Sequence, residues 1–132
     1  MKYAIETAEK ARAMGSYSIS TATAAIVCRK INRLKFADAK KLLENLVSKK
    51  DSVDKGKYYT KTSEELLKLL IQLEKNAKAL NVESGPLTLF VSSHRGPTMY
   101  RSKRDRRHGV QMKMTHVQAV LSDKNGFGKE VR

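Results

Sequence analysis

Over residues 95–113 the chain carries seven Lys or Arg (Arg95, Arg101, Lys103, Arg104, Arg106, Arg107, Lys113) and one acid, Asp105. A stretch of that charge cannot enter an apolar interior, because an unpaired buried cation loses far more hydration than packing returns. It is bracketed by two runs of alternating, β-type character, 87–92 and 117–121. Two such runs joined by a basic segment predict a long antiparallel hairpin with an arginine-rich tip.

Upstream the apolar period changes from two to 3.6. Ala24, Ala25, Val27, Cys28 and Ile31 mark a helix over 21–32. Phe36, Ala39, Leu42, Leu43, Leu46 and Val47 mark a second over 36–48. The longest, over 60–80, carries Leu66, Leu67, Leu70, Leu73, Ala77 and Leu80 on one face. Ser20 is placed to cap the first helix and Thr60 the third, with Thr62 and Glu65 as an alternative capping box. Residues 51–59 read as a polar loop containing Gly56, and 17–20 as a brief strand. The expected fold is α+β: three helices packed on a small antiparallel sheet, with a long projecting basic β-hairpin. All 132 residues are expected to form one domain. Its parts are an extended or partly helical arm (1–15), a globular part (16–95), the basic hairpin extension (96–116), a closing strand (117–123) and a polar tail (124–132).

Lys plus Arg total 27 against 13 acids, a formal net charge of +14. That balance points first to a polyanion, and nucleic acid is the usual one. Hydrophobic residues make up 40 %, too many for a fully disordered chain. No apolar run approaches the ~20 residues that span a bilayer, and the first ten residues lack the apolar core of a secretory signal, so a cytoplasmic chain without membrane insertion is expected. Cys28, the single cysteine, lies on the apolar stripe of the first helix and reads as a buried structural thiol. His94, His108 and His116 lack metal-site spacing and read as solvent- or RNA-facing. Asp51 with Asp54, and Glu64 with Glu65, are explained by a loop and a helix start rather than by acid–base chemistry. Gly126 and Gly128 before Lys129 lack phosphate-loop spacing. No catalytic set, metal or cofactor is expected. The basic run differs in kind: arginine grips phosphate through a planar fork, and Tyr100 lies among the cations where it can stack on a base.

The order of short sequence pieces is itself informative. Ala13-Met14-Gly15-Ser16 precedes Ile19-Ser20; Val27-Cys28-Arg29-Lys30-Ile31 follows; Gly56-Lys57-Tyr58 leads to Lys61 and the long helix, which ends in Asn76-Ala77 and Leu80-Asn81-Val82. Arg95-Gly96-Pro97 opens the basic segment, Arg106-Arg107-His108-Gly109 occupies its tip, and Thr115-His116-Val117 with Val120-Leu121-Ser122 closes it. In this order the pieces resemble the universal large-subunit ribosomal protein twenty-two family, known in eukaryotes as large-subunit protein seventeen, in its archaeal and eukaryotic branch. The resemblance spans about residues 10–123. The chain departs from the family at the short 48–56 segment, at Thr60 where Pro is usual, at Arg107 where Ala is usual, and in a short descending limb over 110–115. These departures mark a shortened form.

The resemblance implies a non-enzymatic structural constituent of the large ribosomal subunit, with its hairpin threading into ribosomal RNA and helping to line the nascent-peptide exit tunnel. Its implied partners are large-subunit ribosomal RNA, neighbouring large-subunit proteins and the nascent peptide. Arg101, Lys103, Arg104, Arg106 and Arg107, with Arg95 and Lys113, are the expected RNA contacts of the hairpin. Lys57, Lys61, Arg29, Lys30 and Arg33 are those of the globular part. The alternative is a free-standing basic nucleic-acid-binding protein that uses a β-ribbon.

Overall fold

The computed structural model describes residues 10–123. Its elements are β1 (Arg12–Tyr17), α1 (Thr21–Ile31), α2 (Phe36–Val47), α3 (Thr60–Ala79), β2 (Thr88–Arg95), β3 (Met99–Tyr100), β4 (Gln111–Met112) and β5 (Thr115–Ser122). The fold is α+β, three helices and a small antiparallel sheet. β5 is central, with β1 and β2 antiparallel on its two sides. α1 packs on β2, α3 packs on β1, and α2 closes on α3.

The core follows from the two sequence periods. Alternate strand residues face the helices: Ala11 and Ala13 leading into and along β1, Leu89 and Val91 on β2, and Val117, Ala119 and Leu121 on β5. They meet Ala24, Val27, Cys28 and Ile31 of α1, Phe36, Ala39, Leu43 and Leu46 of α2, and Leu66, Leu69, Leu70, Leu73 and Ala77 of α3. α3 is covered by the sheet on one side and by α2 on the other, so its buried stripe is wider than the sequence face. It takes in Leu69, and Leu80, just past the helix end, is 52 % exposed.

Several local expectations are corrected. The first strand runs over Arg12–Tyr17, not 17–20, so residues 12–15 belong to the sheet and not to an arm. Its inward residues are Ala and Gly, which leave little hydrophobic pattern; pairing with β5 creates the strand. The outer end of the Tyr17 ring lies across Gly15, and a Cβ there would stand 2.7–2.9 Å from it, so that ring would have to shift. Ser20 occupies the N-cap of α1, but its hydroxyl caps nothing; Thr23 Oγ1 instead donates to the Ser20 carbonyl. α3 is preceded by Tyr59 in a left-handed conformation (φ 47°), and Thr60 is already helical.

Over 96–116, where a long projecting basic hairpin is expected, the two limbs pair only in part and not as one continuous ladder. β2 and β5 do pair along their full length, from Thr88 opposite Ser122 to Arg95 opposite Thr115, so residues 115 and 116 are part of the closing strand. Beyond them Gly96 still donates to the Met114 carbonyl. The next pair is Met99 with Met112, which sets Pro97 and Thr98 against Lys113 alone. Pro97 has no N–H to give a ladder, and the extra residue bulges the limb. The ribbon resumes for only two pairs, and residues 101–110 form a tip of turns. The expectations for residues 1–9 and for the tail at 124–132 lie outside the described residues.

Candidate nucleic-acid interface

Three elements begin at one end of the molecule. Thr115 Oγ1 donates to the Ile19 carbonyl at 2.9 Å and lies 3.0 Å from Thr21 Oγ1. Thr23 Oγ1 lies 3.1 Å from Thr62 Oγ1. This threonine array ties the start of α1, the start of α3 and the start of β5 together, at the root of the basic ribbon. Neither α1 nor α3 has an acidic residue in its first turn or a side-chain cap. Both therefore turn the positive end of a helix dipole toward the same end as the ribbon.

The predicted cations fall into three groups. Arg95 and Lys113, both exposed, flank a groove at the ribbon root together with Ser20, Thr21, Gly96 and Pro97. Lys61, on the first turn of α3, lines a second groove with Tyr58, Tyr59 and Lys49, and exposed Lys57 precedes it in the Gly56 turn. Lys49 was not among the predicted contacts. Its position after α2 is the available signal, since an antiparallel helix pair returns the end of α2 to the start of α3.

Arg29, Lys30 and Arg33 are not part of this end. α1 runs away from the ribbon root, so Arg29 and Lys30 stand roughly 12–14 Å along it at the 1.5 Å rise of a helix, and Arg33 lies just past its end. There Arg33 N–H donates to the Leu89 carbonyl, and Val91 N–H to Asn32 Oδ1. The globular contacts grouped by sequence thus divide between the two ends of the molecule.

The tip holds the third group. Lys103, Arg104, Arg106 and Arg107 are exposed, whereas Arg101 is half-buried with its Nη1 3.0 Å from Asp105 Oδ2. Tyr100 is 63 % exposed beside them, and Met99 and Val110 are also open. These apolar surfaces among cations suit stacking on bases.

The remaining candidates are quiet. Burial pushes the Cys28 thiol up to about 11, against a weaker opposing hydrogen bond from Ser93, so it is not a nucleophile near neutrality. His94 and His116 face each other across β2 and β5 with ring centres 5.2 Å apart, and Ser16 hydrogen-bonds His116 Nδ1. They are therefore partners of the sheet and of each other as well as of solvent. Among the described residues no group of three His, Cys, Asp or Glu could hold a metal ion, and no helix is long and apolar enough to cross a membrane. No protein-family model matches this sequence, and no curated protein matches it either.

Proposed function

We propose that this chain is an RNA-binding structural constituent of the large ribosomal subunit, of the protein twenty-two type its sequence resembles, and not an enzyme. The observation that carries the reading is the seven-to-one basic stretch over residues 95–113, which links the end of β2 to β5 and is rooted where two uncapped helix N-termini and Lys61 gather. Phosphate neutralisation supplies affinity, and the shape of the ribbon and body supplies placement. Large-subunit ribosomal RNA is the main partner, with neighbouring proteins and the nascent peptide as further ones in the cytoplasmic ribosome. The two-pair ribbon gives the excursion a shorter reach than a continuous ladder over 96–116 would have.

The test is sedimentation of a cell lysate through a density gradient at low and high salt. The protein is expected to travel with the large subunit and to stay there through a high-salt wash. A variant with Arg104, Arg106 and Arg107 all changed to Glu is expected to keep its helical circular dichroism and to be missing from subunits. Normal incorporation of that variant sinks the assignment. Wild-type protein left at the top of the gradient but selective for short duplex DNA would favour the free-standing ribbon module.

A further inference from the structure

Asp105 is the only acid in a segment of seven cations, and its carboxylate is used twice. Oδ2 pairs with Arg101 Nη1 at 3.0 Å, and Oδ1 accepts the Arg107 backbone N–H at 2.9 Å. The backbone of the same residue is also committed: Asp105 N–H donates to the Ser102 carbonyl at 3.1 Å, and His108 N–H donates to the Asp105 carbonyl at 3.0 Å. Gly109, at φ 76°, then lets the chain return, and its N–H reaches the Arg101 carbonyl while Arg101 N–H donates to Val110. Backbone bonds close the ends of the ten-residue tip, and inside it one side chain, Asp105, ties Arg101 to the Arg107 backbone. The Arg107 N–H bond and the Arg101 guanidinium hold that carboxyl below its ordinary pKa. Lys103, Arg104, Arg106 and Arg107 are all exposed around this knot.

We infer that Asp105 and Arg101 form an internal brace that shapes the tip before it meets RNA, so that Arg101 is a positioning residue and not one of the phosphate contacts. The inference rests on the RNA-binding reading above. Four like charges on a slack loop would spread apart, and binding would have to order them; a preformed tip avoids that cost. The brace predicts a sign opposite to simple electrostatics. Removing an acid from a basic segment raises net positive charge and, by charge alone, tightens binding to RNA. Removing this acid should weaken it.

The experiment measures binding of the full chain to deproteinised large-subunit ribosomal RNA at fixed salt. Variants are Asp105→Ala, Asp105→Asn, Arg101→Ala and the Asp105→Ala/Arg101→Ala double. Glu83→Gln, an exposed acid outside the ribbon, is the charge control. Asp105→Ala is expected to bind about three- to tenfold more weakly than wild type, as loss of preorganisation requires. Asp105→Asn, which keeps an acceptor for the Arg107 N–H, should fall between them. The double variant should be no weaker than the weaker single one, because both break the same brace. In the free protein, amide exchange at Arg107 and His108 should quicken in Asp105→Ala while exchange in α3 stays unchanged, a readout that excludes general unfolding. Asp105→Ala binding as tightly as Glu83→Gln, or additive losses in the double variant, overturns the brace and leaves the RNA-binding reading standing. Wild-type protein with no affinity for the RNA overturns both.

Discussion

Gly96 sits where the ribbon leaves the sheet, and its lack of a side chain is a packing requirement. A Cβ there would stand 2.8 Å from the Met114 carbonyl carbon and 3.0 Å from Thr115 N, both backbone atoms that cannot swing aside. Gly96→Ala is expected to cost about 1–3 kcal/mol by forcing the two limbs apart, measured as a shift in the urea midpoint. An unchanged midpoint would show that the limbs separate freely at this point. Cys28 illustrates a residue legible from sequence, because its place on the α1 stripe already implied burial. Arg101 illustrates the reverse. Its sequence context is the same as that of Arg104 or Arg106, and only the turn that folds Asp105 back upon it separates their roles.

Between elements, Glu74 is the clearest electrostatic link. It lies on α3 and takes Lys78 of its own helix at 3.1 Å and Lys40 of α2 at 3.2 Å. Those hydrogen-bonded ammonium groups, Lys78 first, hold its carboxyl below the ordinary range. A carboxyl whose native pKa is lowered stabilises the fold above its unfolded pKa, and that contribution disappears as pH falls through the native value. Glu74→Gln is expected to cost about 0.5–1 kcal/mol near neutral pH, within the range of partly exposed ion pairs. Wild type and variant should converge in acid, below the carboxylate range. A variant that loses equal stability at both pH values would mean that packing, not charge, is the source. The helix starts show a different limit of sequence reading. Ser20 and Thr60 are good capping residues by type, yet the first turns of α1 and α3 are fixed by the threonine array and by the Tyr59 reversal.

At the scale of the molecule, the exposed cations predicted to contact RNA divide between two ends. Arg95, Lys113, Lys57, Lys61 and the four exposed tip cations share the ribbon end, and Arg29, Lys30 and Arg33 share the other. For a short RNA hairpin too small to span both, roughly eight phosphates can be neutralised at the ribbon end, so the log–log salt slope of binding should be about −6. Changing Arg95 and Lys61 to Gln should reduce the slope by about 0.7–0.9 per cation. Changing Arg29, Lys30 and Arg33 to Gln should leave it nearly unchanged. Equal effects from both sets would mean that the short RNA does not choose the ribbon end.

The sequence by itself determined the three helices, the apolar faces they bury, the β character of 87–92 and 117–121, and the exclusion of the basic segment from the core. Each of these depends on local periodicity or on the cost of burying charge, and neither needs a partner to be known. The tertiary structure decided what depends on long-range pairing. β1 becomes a strand because β5 lies beside it, although its Ala- and Gly-rich inner face carries almost no pattern. Leu69 is buried because α2 and the sheet enclose α3 from two sides. The ribbon breaks where Pro97 and Thr98 face Lys113 alone, and inside its tip Asp105 ties Arg101 to the Arg107 backbone. The division of the predicted contacts between two ends follows from the direction in which α1 leaves the ribbon root, which no count of charges along the chain contains.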